Sequence, residues 1–200
     1  DFQTAGRIFR AESALAPQDL YVKRKLAYEM IRYGELKAAE KLLEAIFKQS
    51  GAKDETVGLI LGSVYTSLEK NKEARQTYQR LLAVNPESED ACVCLARTYV
   101  AEKMYKEVHT LLNSCEKRSP DNPVFSFFRG RMEYDRGNKT LAKTYFEKSL
   151  KVDGTYAQAA LAIGALYEEK EEFARALKVY KSFVDTEENA ANTQVLSRLV

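Results

Sequence analysis

A chain of 200 residues that is 45% hydrophobic and 30% charged holds enough apolar side chains to bury a core and too many to stay disordered. Its 31 basic and 29 acidic residues leave a formal charge of +2, which offers no electrostatic footprint for nucleic acid or a membrane surface. No uncharged run approaches the roughly 18 residues that a membrane-spanning helix needs, and the longest candidate, around Val57–Tyr65, is far shorter.

The chain opens on Asp1 with no initiator Met, no basic-then-apolar leader and no lipidation signal. It reads as a trimmed piece, so an exported or lipid-anchored parent stays open, with a cytoplasmic location favoured by the odd cysteine count. Residues Asp1–Ala16 carry Ala5 and Phe9 at helical spacing and end at the breaker Pro17, with Glu12 standing where a small apolar residue is expected. From Leu20 onward, apolar residues recur three or four apart. Leu61, Val64, Tyr65 and Leu68 show the pattern, which predicts amphipathic helices throughout. Gly34 and Gly137 fall where two helices should turn, and Asn122 before Pro123 predicts a helix N-cap followed by a first-turn proline. Residues Ala191–Val200 read as the start of a further or capping helix.

The breakers are periodic. Pro86 and Pro120 lie 34 residues apart, and Gly154 lies 34 beyond Pro120. Read back from each breaker, the segments 55–88, 89–122 and 157–190 align. Leu61, Gly62, Tyr65, Ala74, Tyr78 and Leu81 match Leu95, Ala96, Tyr99, Val108, Leu112 and Cys115, and then Ile163, Gly164, Tyr167, Ala176, Tyr180 and Phe183. Segment 20–54 gives Leu26, Ala27, Met30, Gly34, Ala39, Leu43 and Ile46 with one extra residue, while 123–156 keeps Gly130, Gly137, Ala142 and Phe146. This pattern resembles the tetratricopeptide repeat (TPR), without its tryptophan, over essentially the whole chain.

The resemblance implies an all-α fold, a right-handed superhelical solenoid of helix-turn-helix repeats. Repeats are expected at 20–54, 55–88, 89–122, 123–156 and 157–190, with a partial repeat at 1–19 and the beginning of another element at 191–200. Ala or Gly at the eighth and twentieth positions lets the two helices of a repeat approach closely, and the residue at the twenty-fourth fills the space toward the next repeat. In 123–156 the motif leucine and tyrosine become Arg129 and Glu133, four apart on one helix and expected to pair with each other. A polar notch kept for a partner is the alternative reading.

Function follows from the same resemblance: a protein-protein interaction module, adaptor or scaffold, holding a partner peptide or helix in a concave groove. The groove positions of the family fall here on two arginine–aromatic clusters. One is Tyr21, Arg24, Tyr28 and Arg32; the other is Arg97, Phe127, Arg131 and Tyr134, with Ser63 among small hydroxyl residues between them. Arginine forks match carboxylates and stack on rings, which implies a partner with an acidic segment over Arg97 and Arg131. No repeat has the Lys and Asn pair by which chaperone-binding members clamp a C-terminal carboxylate, since Arg24/Tyr28, Leu59/Ser63, Val93/Arg97, Phe127/Arg131 and Leu161/Ala165 stand at those positions.

Neither catalysis nor a cofactor is expected. His109 is the only histidine and sits at a position expected to face solvent, so no metal site is indicated. Cys92, Cys94 and Cys115 are expected to be small thiols of the core, and Gly58 and Gly62 lie inside a helix rather than in a phosphate loop. Two alternatives stay open: the substrate-recruiting region of a larger enzyme, or a self-associating structural array forming homo-oligomers.

Overall fold

The structure, a computed structural model, describes Ala11 and residues 19–199. The expected partial repeat around Ala5, Phe9 and Pro17 lies outside the described residues. Regular structure among the described residues is entirely α-helical, in eleven helices: α1 Leu20–Arg32, α2 Leu36–Ser50, α3 Glu55–Ser67, α4 Asn71–Val84, α5 Glu89–Ala101, α6 Tyr105–Arg118, α7 Pro123–Asp135, α8 Lys139–Val152, α9 Ala157–Glu168, α10 Phe173–Val184 and the short α11 Thr193–Leu196. The molecule divides between Thr98 and Tyr99 into two compact units, and each is taken by itself below.

Helix starts follow from capping chemistry. Asp19 accepts from the Tyr21 and Val22 amides, Asp54 from Val57, and the Ser88 hydroxyl from Ala91. Asn122 accepts from the Val124 amide at 3.0 Å, directly before Pro123. These side chains satisfy amide donors that a helix leaves orphaned at its first turn.

Helix ends share one device. After each odd-numbered helix from α1 to α9 the chain enters the left-handed region once, at Gly34, Glu69, Lys103, Gly137 and Glu171. In each turn the next amide reaches back to a helix carbonyl, as in Glu35 N to Met30 O at 2.8 Å and Lys70 N to Tyr65 O at 2.8 Å. Sequence alone marks the two glycines; three turns hold the same conformation with Glu or Lys.

In the first unit, α1 packs on α2, α2 on α3 and α3 on α4. In the second, α6 packs on α7, α7 on α8, α8 on α9 and α9 on α10, and α11 lies against both α9 and α10. Hairpin closeness comes from the small residues. A methyl group at Gly62 would overlap the Tyr78 ring, one at Gly130 the Phe146 ring, and one at Gly164 the Tyr180 ring. The large ring at the twenty-fourth position therefore lies on the glycine of its own repeat, as well as reaching toward the next. Where the eighth residue is Ala27, the twenty-fourth shrinks to Leu43, and both stay buried. The size of one position compensates the other, as close-packed interiors require.

Candidate binding surface

Helix α1 presents Tyr21, Arg24 and Tyr28 on one stripe, because residues three, four and seven apart share a helix face. Tyr21 is 60% exposed and Tyr28 39%, values unusual enough among the large side chains to mark an open surface. The arginines of this cluster are engaged within the chain. Arg24 Nη1 lies 3.2 Å from Asp54 Oδ2, so it ties α1 to the residue capping α3, and Arg32 Nη1 lies 3.2 Å from Glu29 Oε1. Lys25 Nζ stands 5.6 Å from the Tyr21 ring centre. On α3, Ser63 is exposed.

Arg97 is exposed on the part of α5 that belongs to the first unit. Its charge bears on the neighbouring Cys94 thiol, but burial dominates and holds that thiol above its ordinary range; Tyr78, hydrogen-bonded to Cys94, is likewise pushed up by burial.

In the second unit, Phe127, Arg131 and Tyr134 share one face of α7. Phe127 is half-buried among rings, 5.5 Å from Phe146 and 5.4 Å from Tyr156. Arg131 is exposed. The Tyr134 hydroxyl donates to Glu169, whose other oxygen lies 2.7 Å from Lys139 Nζ. Lys139 and Tyr134, as donors, hold the Glu169 carboxyl below the usual carboxylate range, and the hydrogen bond to Glu169 pushes the Tyr134 phenol up. Of the expected contact residues, then, Tyr134 and Arg24 already serve other helices. Arg97 and Arg131 stay open to solvent.

The expected Arg129–Glu133 pair does not form. Arg129 donates from Nε and Nη2 to the Glu116 carboxylate at 2.9 and 2.7 Å, and from Nη2 to Asn113 Oδ1 at 2.8 Å. Glu133 turns the other way, taking Arg136 at 3.1 Å and the Asn138 amide at 2.6 Å in the following turn. Helical side chains lean toward the N-terminus of their helix, and the planar fork finds a better match one helix away than an i,i+4 neighbour could give.

Cysteine chemistry also differs from expectation. Cys92 and Cys115 are each disulfide-bonded rather than free, and Cys94 alone remains a thiol. His109 is exposed, with Asn113 Nδ2 3.2 Å from its Nδ1. Among the described residues no group of three or more His, Cys, Asp or Glu is placed to hold a metal ion, and no helix is long and apolar enough to cross a membrane.

Helix hairpins closed over small-residue contacts, with a left-handed residue turning the chain between their two helices, define an α-helical repeat fold. The tetratricopeptide-repeat family profile matches residues 59–91, which run from within α3 into α5. Solved structures agree. A tetratricopeptide repeat protein from Parabacteroides merdae is 19% identical with a TM-score of 0.77, over 91% of this chain and 72% of that one. A TPR protein from Thermus thermophilus is 18% identical with a TM-score of 0.68, over 88% and 94%. MamA from Desulfovibrio magneticus is 14% identical with a TM-score of 0.65, over 86% and 97%. Among curated protein sequences, none matches. Residues 59–91 thus match the tetratricopeptide-repeat family, and the chain shares the fold of solved tetratricopeptide-repeat proteins.

Proposed function

We propose that this chain binds a partner protein through the exposed faces of its first-of-hairpin helices, and that it works by binding rather than by catalysis. The contact set is Tyr21, Arg24, Tyr28, Arg32, Ser63 and Arg97 in the first unit and Phe127, Arg131 and Tyr134 in the second. The segments 20–54, 55–88, 89–122, 123–156 and 157–190 serve as the repeats that carry these residues. The observation that carries the reading is that Arg97 and Arg131 remain exposed while Arg24 and Arg32 are held by Asp54 and Glu29. An exposed guanidinium on a rigid helix is a ready receptor for a carboxylate, so the partner segment is acidic.

The test is affinity capture from a native extract, comparing the parent with Arg97→Glu and Arg131→Glu, after circular dichroism shows equal helicity. A partner lost from either variant supports the reading and locates the contact to one unit. Capture of the same proteins by all three forms would show that these helix faces are not the binding surface.

A further inference from the structure

A second surface lies on the other helices of the hairpins. Between α8 and α10, over α9, runs an open groove of about 570 Å³. Its floor is apolar: Leu150, Ile163, Val179 and Phe183. Cations stand along its rim. Lys143 Nζ lies 5.1 Å and Arg175 Cζ 6.0 Å from the Tyr167 ring centre, and Lys178 is exposed beside them. The ion pairs Lys143–Glu147 at 3.2 Å and Arg175–Glu172 at 2.7 Å are exposed, so they bind these cations only weakly. Helix α8 carries Lys139, Lys143, Lys148 and Lys151 against Glu147 alone, and α10 carries Arg175, Lys178 and Lys181 with no carboxylate.

The same groove in the first unit, between α2 and α4, is occupied by the chain itself. Arg80 lies with Cζ 5.0 Å over the Phe47 ring, and Phe47 is only 3% exposed. Tyr65 gives its hydroxyl to Glu44 at 2.5 Å, and Lys70 reaches Glu40 at 2.5 Å. Counted by repeat position, Arg80 becomes Ser182, Phe47 becomes Leu150, Glu40 becomes Lys143 and Glu73 becomes Arg175 in the second unit. The covering guanidinium is gone and the sign of the wall has reversed. Side chains that close the groove in one unit have been replaced by an opening and positive charge in the other.

We propose that the α8–α10 groove is a docking site for an acidic peptide segment that seats one apolar side chain on Leu150, Val179 and Phe183. The apolar floor supplies the burial and the rim supplies the sign preference. This surface is separate from the helix faces proposed above, and neither reading needs the other.

A short fluorescein-labelled peptide alternating Leu and Phe with Asp and Glu is the probe, followed by fluorescence anisotropy and by the methyl resonances of Leu150 and Val179. The parent binds with shifts at both residues. Ser182→Arg restores the covering side chain and lowers affinity at least about tenfold, ~1.4 kcal/mol. Lys178→Glu weakens it in the same direction, while Lys106→Glu, at an exposed position on α6 outside both surfaces, leaves it unchanged. Both groove variants alter exposed positions, and unchanged helicity confirms that they fold. Absence of binding by the parent overturns the proposal, as does equal binding by Ser182→Arg, or equal binding of a probe with Lys in place of its acids. Loss of binding in Arg131→Glu alone would place the probe on α7 and overturn it too. So would binding to phosphatidylserine vesicles with none to the peptide, since the occupant would then be a lipid surface.

Discussion

The two units use one hairpin design and dress it oppositely. In each, the large residue at the twenty-fourth position lies on a small one at the eighth, as Tyr78 on Gly62 and Phe146 on Gly130. Outside that contact they diverge. Glu40, Glu44, Tyr65 and Lys70 knit the first unit's outer groove together, while the corresponding part of the second stays open under Lys143, Arg175 and Lys178. The positions that make a repeat are those that let helices approach. The residues between them decide what each repeat presents.

The strongest challenge to a shared design is removal of the ring itself. Phe146→Ala and Tyr78→Ala should each destabilise by about 3–5 kcal/mol in urea unfolding, because a fully buried aromatic leaves a cavity that helices cannot collapse around. A loss in one unit only would mean that the two hairpins are not built alike.

Next comes the feature peculiar to the second unit. Arg129→Leu restores the motif residue yet should cost about 2 kcal/mol, since Glu116 and Asn113 lose their shared donor; adding Glu116→Leu should recover most of it. A neutral single variant would show that the guanidinium contributes nothing net to the packing of α7.

Alkaline titration offers a smaller effect. Burial, with the hydrogen bond to Glu168, pushes the Tyr180 phenol up to about 12 from the ordinary 10. The folded state thus keeps a proton that the unfolded chain has given up. Stability from this group is complete below about pH 10 and is lost as pH rises toward 12. Tyr65 and Tyr78 in the first unit are raised in the same direction by burial. Urea midpoints measured across that window should fall, and Tyr180→Phe should flatten the part of the fall that comes from the second unit.

The smallest effect sharpens the comparison most directly. Arg80→Ser should cost only about 0.5–1 kcal/mol, the worth of a cation over a ring, while giving the first unit an opening like that of the second. Increased solvent accessibility of Phe47, read from its ring resonances, is the check; an unchanged ring would mean that other side chains cover it.

Much of the hairpin was legible in the sequence. The helical period, the Asn122 cap, the glycines of the turns and the small residues that let paired helices approach all rest on local spacing or on residues that only one geometry accommodates. The rest depends on which neighbour a long side chain chooses across a helix boundary. Arg129 takes Glu116 and Asn113 rather than Glu133, and Tyr134 takes Glu169; neither choice is encoded in spacing along one helix. Cys92 and Cys115 carry disulfide bonds that the odd cysteine count hides. The outer groove was missed because Arg80 and Ser182 look alike as exposed polar residues until the ring beneath one of them is seen.

The left-handed turns bear on the order of folding. A residue with a Cβ held at positive φ costs on the order of 1 kcal/mol more than glycine there. The turns at Gly34 and Gly137 can close while their helices are still forming, whereas those at Glu69, Lys103 and Glu171 need completed helices to hold them. The early hairpins are then α1–α2 and α7–α8, one in each compact unit. Refolding rates measured by stopped-flow should then respond to Ala39→Gly and Ala142→Gly more than to Ala176→Gly.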